Sequence, residues 1–183
     1  MTFVETKLQG AFIITPDLIE DERGFFARTF CRREFESQGL DPNIVQCNIS
    51  FNKTKGTLRG MHYQARPHSE AKLVRCTAGD IYDVIIDLRP ESPTFKQWFA
   101  AELSADNRKL LYIPKGFAHG FQTLAHNTEL IYHHSAFHSP DYARGLRFDD
   151  PALNIAWPLP VIMVTPKDRS YPLVENNFRG IEI

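Results

Sequence analysis

The sequence predicts an all-β sandwich or barrel. Short stretches rich in β-branched and aromatic residues recur along the chain, turn residues separate them, and no long helical pattern occurs. Many short strands at this spacing are typical of two packed sheets or a closed barrel. In order, the predicted strands are "AFIITP", "FFARTF", "VQCNISF", "TLRGMHYQ", "KLVRC", "DIYDVIIDLR", "QWFAAELS", "LLYIP", "HGFQTLA" and "ELIYHHSAFH".

The predicted helices are few and short. "RREFESQGL" is the best candidate, with Gly39 as its C-terminal stop, and helical turns are expected at "SADNRKL" and "SPDYARG". The segment from Asp149 onward is rich in proline and is expected to be irregular, laid along the surface or over an opening.

Composition restricts the class of protein. The chain has 183 residues, which suggests one domain, and 43% of them are hydrophobic, enough to bury a core. A net charge of −1 and a pI of about 6.7 give no electrostatic case for binding nucleic acid or an anionic membrane. The three cysteines show no CxxC spacing, and the N-terminus shows no signal-peptide pattern, so a reducing cytoplasm fits best.

Several predicted strands carry polar residues on one face. Because side chains alternate along a strand, Tyr132 shares a face with His134, Ala136 and His138. In another strand Gln46, Asn48 and Ser50 share a face, and in a third His62 shares one with Gly60 and Gln64. These faces either line a cavity for a polar ligand or point to water, and alternation alone leaves both readings open.

Two motifs with characteristic spacing narrow the choice among all-β folds. "PKGFAH" places Pro114, Gly116 and His119 in a PxGxxH pattern, and Gly56, His62, Glu70 and Gly79 follow a compatible spacing. This arrangement resembles the two motifs of the cupin superfamily. The resemblance implies a cupin-type double-stranded β-helix (jelly-roll) barrel with a few short helices. We expect one such domain over residues 1–183, with an N-terminal strand extension and an irregular C-terminal tail.

A cupin metal site lacks one ligand in this sequence. The first cupin motif supplies two histidines as HxH, but Gln64 stands where the second would be, and an amide oxygen is a poor substitute for imidazole. A facial triad of His62, Glu70 and His119 remains an alternative. The expectation is that no metal and no other cofactor is used.

The same residues suit proton transfer. A histidine and a tyrosine in one cavity can act as general base and general acid, each typically contributing about 10²–10⁴-fold. Lys72 or Arg59 can stabilise an enolate oxygen, and a carboxylate is needed to orient the histidine. Asp168 is one candidate for that carboxylate among several.

Eleven segments, in order and covering about residues 3 to 172, resemble the dTDP-4-dehydrorhamnose 3,5-epimerases, which are metal-independent cupins. These segments are "DERGFF", "VQCNIS", "LRGMHYQ", "KLVRC", "GDIYDVIIDLR", "SPTF", "ELSADN", "IPKGFAHGF", "ELIY", "SPDYARGLRFDDPAL" and "PKD". The resemblance implies an isomerase that inverts C5 and C3 of a nucleotide-linked 4-keto-6-deoxyhexose, yielding dTDP-4-dehydro-L-rhamnose.

The resemblance also assigns roles to residues. It implies that His62 is the base, Asp168 orients it, Lys72 faces the C4 enolate, and Tyr132 returns the proton from the opposite side. It further implies a homodimer in which Arg23 and Phe26 serve the neighbour's site. The implied contacts to sugar, nucleotide or diphosphate are Arg23, Phe26, Arg28, Gln46, Cys47, Asn48, Arg59, Lys72, His119, His138 and Lys167.

Four positions at the nucleotide end depart from the family pattern. Arg28 stands where the family commonly has Glu, Cys47 where Asp is usual, His138 where a Tyr stacks on thymine, and Ala143 where a Glu contacts ligand. An imidazole stacks over less area than a phenol ring. A CDP- or other NDP-linked sugar is therefore an alternative to dTDP, with neutral drift as the competing explanation.

Three other functions stay open at this point. A mono-epimerase would invert only C3 or only C5, a metal-dependent cupin oxygenase would need a bound metal, and a sugar-binding cupin would catalyse nothing. His68 and Glu70 are interpreted as structural or solvated loop residues, and Arg75 has no assigned role. His133 and His134 are interpreted as ordinary strand residues.

Overall fold

The computed structural model describes residues 1–175 and 177–183 and confirms the all-β class. Within these residues thirteen strands are joined by two short α-helices and one 3₁₀ turn. The strands are β1 (Thr2–Glu5), β2 (Phe12–Thr15), β3 (Leu18–Asp21), β4 (Gly24–Ala27), β5 (Gln46–Asn52), β6 (Leu58–Gln64), β7 (Lys72–Ala78), β8 (Asp80–Asp87), β9 (Trp98–Ser104), β10 (Leu110–Ile113), β11 (Phe117–Thr123), β12 (Thr128–His134) and β13 (Ala143–Gly145). The helices are α1 (Arg32–Ser37) and α2 (Pro166–Ser170), and the 3₁₀ turn is Pro140–Tyr142.

Two antiparallel sheets face one another, which is the predicted jelly-roll arrangement. The six-stranded sheet has the order β1-β2-β10-β7-β12-β5, and the five-stranded sheet has the order β13-β6-β11-β8-β9. Val74 and Leu130 from the first sheet pack against Ile85 and Phe121 from the second, and all four are buried. This apolar core holds the two sheets together, and burying such side chains is worth about 1.5–3 kcal/mol each.

Helix α1 covers the outer face of the six-stranded sheet. Its Phe35 is 1% exposed and packs with Leu73 and Tyr112. The chain leaves the helix at Gly39, whose φ of 71° is the left-handed conformation that commonly ends helices. The predicted helix and its glycine stop are therefore confirmed.

The C-terminal segment covers the outer face of the five-stranded sheet. Leu153 and Val174 are buried there with Val84 and Ile86, and Trp157 packs against the same cluster. Apart from α2, the described residues of this segment form no regular helix or strand. Neither α-helix in residues 1–175 and 177–183 is long and apolar enough to cross a membrane.

Some strand predictions need correction. The strand expected to run through His138 ends at His134, so Ala136 and His138 do not continue the face of Tyr132. Beyond His134 the backbone is hydrogen-bonded by the Gln64 side chain. Its amide N–H donates to Phe137 O at 3.3 Å, and its oxygen accepts from Ser139 N at 2.7 Å. Sequence reasoning also missed β1, β3 and β13, which are short segments of three or four residues.

A β-bulge in β6 changes which side chains face inward. His62 lies opposite His119 and Arg59 lies opposite Phe121, so three steps along β6 match only two along β11. One extra residue in a strand reverses the alternation beyond it. Arg59 and His62, which strict alternation places on opposite faces, therefore both reach the space between the sheets.

Gly60 is required at this bulge. Its φ is +137°, and a Cβ there would lie 2.5 Å from the Cα of Gly120 on the neighbouring strand. We expect Gly60→Ala to lower the free energy of unfolding by at least about 2 kcal/mol, since it combines backbone strain with overpacking. Gly39→Ala is the matched control, because Gly39 has a positive φ but open space around it. Equal losses in urea unfolding of the two variants would contradict the close-packing argument.

Candidate active site

A cavity of about 430 Å³ lies between the two sheets. Arg59, His62 and His119 reach it from the five-stranded sheet, whereas Lys72 and Tyr132 reach it from the six-stranded sheet. The remaining lining residues are Asn48, Ile49, Ser50, Phe51, Phe121 and His134. The polar faces predicted for β5 and β12 thus contribute to a cavity that combines charged and aromatic side chains.

A second chamber of about 270 Å³ shares His62, Lys72 and His134 with the first. These three side chains therefore stand between the two chambers. The second chamber adds, among others, His138, Lys167, Ala143 and Tyr171. The two chambers together can accommodate a ligand with two distinct parts, one on each side of these shared residues.

His62 is paired with a carboxylate from the C-terminal segment. Its Nε2 lies 2.7 Å from Oδ1 of Asp168, which is on α2 and only 3% exposed. The Thr165 hydroxyl accepts from the Asp168 backbone N–H at 3.1 Å and so begins this helix. If Nε2 carries the proton donated to Asp168, Nδ1 of His62 is left with a free lone pair.

The environment keeps Asp168 ionised. Burial raises the pKa of this carboxyl, but the hydrogen bond and charge of His62, with further hydrogen bonds from Thr165 and Gly60, outweigh it. The pKa of Asp168 therefore lies below its ordinary value. An ionised carboxylate is what orients a neutral imidazole and stabilises it once it gains a proton.

Tyr132 approaches the cavity from the sheet opposite His62. Burial and, secondarily, the Asp83 carboxylate raise the pKa of its phenol above the ordinary value. The ring lies edge-on to His119, with centroids 6.1 Å apart. A phenol whose pKa is raised remains protonated at neutral pH and can act as an acid.

His119 forms a second histidine–carboxylate pair. Its Nε2 lies 2.6 Å from Oδ1 of Asp83, and both residues are buried. The other oxygen, Oδ2 of Asp83, is buried without a hydrogen-bond partner among the described residues. Nearby, Arg59 donates from Nε to Oδ1 of Asn52 at 2.7 Å, which fixes its guanidinium at the cavity wall.

Glu70 lies in the loop between β6 and β7, and it lines the second chamber instead of pointing to solvent. Its side chain is 8% exposed, with Oε1 3.1 Å from Nζ of Lys72 and Oε2 2.8 Å from Nδ1 of His134. His134 lines both chambers, so it too is more than an ordinary strand residue. No sequence pattern marked either position, because His134 meets Lys72 through the register of β7 and β12, and Glu70 meets both from the loop two residues before Lys72.

Several predicted contact residues lie outside both chambers of this chain. Arg23 and Phe26, in the β3–β4 hairpin, are exposed, and Cys47 is exposed on β5. Arg28 is paired with Glu34 at 2.7 Å. Gln46 lines neither chamber but hydrogen-bonds Asn48 and the backbone of His138. Their roles in ligand binding stay predictions.

The alternative metal triad does not assemble in the described part of the chain. His62 is paired with Asp168, His119 with Asp83, and Glu70 with Lys72 and His134. Among the described residues no group of three His, Cys, Asp or Glu side chains has the arrangement to hold a metal ion. These donors are instead arranged as hydrogen-bonded pairs suited to proton transfer.

Sequence reasoning missed Asp83, Phe121 and Tyr171. Asp83 interrupts the apolar run "DIYDVIIDLR", and a carboxylate inside a buried strand is a signal that a partner is near. Tyr171 lies edge-on to His62, with centroids 5.8 Å apart. No sequence pattern marks Tyr171, which follows α2 and depends on where the C-terminal segment docks.

Comparison with known proteins shows similarity over most of the chain. A family model described as dTDP-4-dehydrorhamnose 3,5-epimerase matches residues 5–176. The enzyme of that name from Shigella flexneri is 41% identical over 169 residues, covering 92% of this chain and 93% of its own.

Solved structures are equally similar. The dTDP-4-dehydrorhamnose 3,5-epimerase from Bacillus anthracis, with TDP and pyrophosphate bound, has a TM-score of 0.91 and 42% identity over 94% of this chain and 99% of its own. The dTDP-6-deoxy-D-glucose-3,5-epimerase from Legionella pneumophila, in complex with dTDP-4-keto-L-rhamnose, has a TM-score of 0.89 and 38% identity, covering 94% and 92%.

Proposed function

The chain belongs to the dTDP-4-dehydrorhamnose 3,5-epimerase family, whose members are isomerases of nucleotide-linked sugars, and from this we propose that His62, Asp168, Tyr132 and Lys72 are its catalytic residues. The proposed substrate is dTDP-4-dehydro-6-deoxy-D-glucose and the product is dTDP-4-dehydro-L-rhamnose. The observation that carries the assignment is the placement of a base and an acid on opposite sheets across one cavity.

The first step is removal of a proton next to the C4 ketone. Nδ1 of His62 takes the proton from C5, the electron pair of the C–H bond forms a C4–C5 double bond, and the π electrons of the C4 carbonyl move to its oxygen, which gives the enolate. Asp168 stabilises the resulting imidazolium through the 2.7 Å hydrogen bond. Lys72 lines the same cavity, and its ammonium stabilises the enolate oxygen.

The second step returns a proton to the other face. The enolate electrons reform the carbonyl as C5 takes the proton from the Tyr132 hydroxyl, leaving a phenolate. Removal on the His62 side and return on the Tyr132 side inverts the carbon. Proton exchange with solvent restores both groups, and the same cycle at C3 completes the double epimerisation.

The nucleotide and diphosphate are proposed to bind around the second chamber. Lys167 and His138 line it, and Gln46 holds the His138 backbone. Lys167 is a suitable diphosphate contact because hydrogen bonds between ionised groups are the strong ones. Asn48, Arg59 and His119 are proposed sugar or diphosphate contacts from the first chamber.

A homodimer is proposed for the working enzyme. The β3–β4 hairpin forms a sheet of its own and exposes Ile19 and Phe26, at 68% and 70%. Apolar side chains exposed in this way commonly mark a protein–protein contact. In this arrangement Arg23, Phe26 and Arg28 come from the hairpin region of one subunit to the site of the other.

The proposed compartment is the cytoplasm. Cys31, Cys47 and Cys76 are all free in the described structure, which suits a reducing environment. Nucleotide sugars of this kind are small, charged molecules, and their epimerase is expected to act where they are made.

Deuterium incorporation tests the function and the nucleotide preference together. Proton NMR of dTDP-4-keto-6-deoxyglucose in D₂O with enzyme is expected to show exchange at both C5 and C3. Exchange at only one carbon would make the enzyme a mono-epimerase, an activity known in a Streptomyces bikiniensis relative described as a 3'-monoepimerase. No exchange at either carbon would contradict the proposal.

The nucleotide is tested by repeating the exchange with the CDP-linked sugar at equal concentration. Because His138 offers less stacking area than a phenol ring, we expect a weakened preference for dTDP, with rates for the two nucleotides within about tenfold. His138→Tyr is the matched variant, and it is expected to increase the preference for dTDP. A strong preference for dTDP in the unmodified enzyme would contradict the hypothesis that this enzyme accepts a nucleobase other than thymine.

A further inference from the structure

A continuous chain of hydrogen bonds crosses the wall between the two chambers. It begins at the backbone N–H of His138, which lies 3.0 Å from Oε1 of Gln46. Gln46 Nε2 lies 3.3 Å from Oδ1 of Asn48, and Asn48 Nδ2 lies 3.3 Å from Nε2 of His134. His134 Nδ1 lies 2.8 Å from Glu70, whose other oxygen is 3.1 Å from the ammonium of Lys72.

The direction of every bond follows from the first one. A backbone N–H only donates, so the Gln46 oxygen faces it and the Gln46 amide donates to the Asn48 oxygen. The Asn48 amide must then donate to Nε2 of His134. Nε2 is therefore an acceptor, and the ring proton sits on Nδ1, where it is donated to Glu70.

Glu70 receives two donors in a nearly closed environment. Burial raises the pKa of its carboxyl, but the charge of Lys72 and the hydrogen bond from His134 outweigh it, and the pKa lies below its ordinary value. Glu70 is thus ionised at neutral pH. One oxygen is occupied by His134 and the other by Lys72, so the position of the ammonium is set by a carboxylate that is itself held in place.

We propose that Glu70 and His134 are positioning residues, which hold the Lys72 ammonium at the reaction centre through a hydrogen-bond chain that begins at the His138 backbone. The inference rests on the proposed function for the role of Lys72 in catalysis. The hydrogen-bond chain also connects the segment around His138 to the Lys72 ammonium. The chamber proposed for the nucleotide and the chamber proposed for the sugar therefore share one polar network.

Glu70→Gln tests the positioning. The amide keeps one acceptor for Nδ1–H of His134 but turns its NH₂ toward the Lys72 ammonium, where two donors face each other. We expect kcat to fall by about 10- to 100-fold, since misplacing a catalytic group by about 1 Å costs about that much. KM is expected to change by less than about threefold, because the contacts that bind the substrate are retained.

Glu36→Gln is the matched control. Glu36 pairs with Arg32 on the exposed face of α1 and lines neither chamber, so the same chemical change is expected to leave turnover unchanged. Circular dichroism and thermal unfolding establish that the Glu70→Gln variant is folded. A folded variant with turnover within twofold of the unmodified enzyme would overturn the positioning role.

The tautomer of His134 gives a test that is independent of turnover. Nitrogen-15 NMR of the labelled imidazoles, with His134 assigned by its absence from His134→Gln, is expected to show a neutral ring protonated on Nδ1. Asn48→Leu removes the donor to Nε2 and is expected to shift the Nε2 resonance. A ring protonated on Nε2 would overturn the hydrogen-bond chain. Lack of deuterium exchange in the unmodified enzyme would instead overturn the proposed function.

Discussion

Replacing His62 by alanine is expected to reduce epimerisation by about 10³–10⁴-fold, near the upper end of what one positioned base contributes. The imidazole is the group whose Nδ1 lone pair is free while Nε2 is held by Asp168 at 2.7 Å. The other histidine that a buried carboxylate orients in this cavity is His119, but its side chain is 6% exposed, against 42% for that of His62. The measurement is the rate of deuterium incorporation at C5 and C3 by proton NMR.

The control for this variant is His126→Ala. His126 is exposed in the turn before β12 and lines neither chamber, so its loss is expected to leave the exchange rate within twofold. His62→Ala is expected to unfold at a lower temperature, because the buried Asp168 carboxylate loses its 2.7 Å partner, so exchange is measured where the variant is still folded. If His62→Ala retained a tenth or more of the exchange rate, the assignment of the base would be wrong.

Replacing Tyr132 by phenylalanine is expected to separate exchange from inversion. His62 still removes the proton and can return one to the same face, so deuterium enters C5 and C3 while the configuration is retained. Formation of the inverted product is expected to fall by about 10²–10⁴-fold, the range for loss of a positioned acid. The ring itself is retained, so its contacts with His119 and Phe121 remain.

Tyr112→Phe is the matched control for the loss of a buried hydroxyl. Tyr112 packs against Phe35 on the outer face of the six-stranded sheet, and its oxygen accepts from the Asp41 backbone N–H at 3.0 Å. Burial raises the pKa of Tyr112 to about 12, so it resembles Tyr132 in environment but not in position. We expect this control to lose about 1 kcal/mol of stability and to invert the substrate at the rate of the unmodified enzyme. If Tyr132→Phe inverted the substrate at the normal rate, the assignment of Tyr132 as the general acid would be wrong.

The positions that depart from the family pattern can be located relative to the two chambers. His138 and Ala143 both line the second chamber, so two of the four departures lie where the nucleotide is proposed to bind. Of the residues that the proposed chemistry uses, Tyr132 lines only the first chamber, whereas His62 and Lys72 line both. The nucleotide comparison is the experiment that measures the effect of these two departures.

The sequence by itself determined the fold class and much of the cavity lining. Alternation in β5 and β12 predicted which polar residues share a face, Asn48 with Ser50 and Tyr132 with His134, because side-chain direction in a regular strand depends only on local spacing. It did not decide between a cavity and solvent. The resemblance carried by eleven ordered segments singled out His62, Lys72 and Asp168, since motif residues can be matched position by position. The helix ending near Gly39 was also predicted from its own residues, since a glycine stop is a local signal.

Only the tertiary structure decided which of these side chains meet. The resemblance implied that Asp168 orients His62, but the contact itself spans 106 residues of sequence and depends on where an irregular segment docks. Arg59 joins His62 because a bulge reverses the alternation, and a bulge is set by pairing with β11 rather than by the strand's own pattern. His134 meets Lys72 through the register of β7 and β12, and Glu70 joins them from the loop before β7. No local periodicity encodes the contact between the two strands.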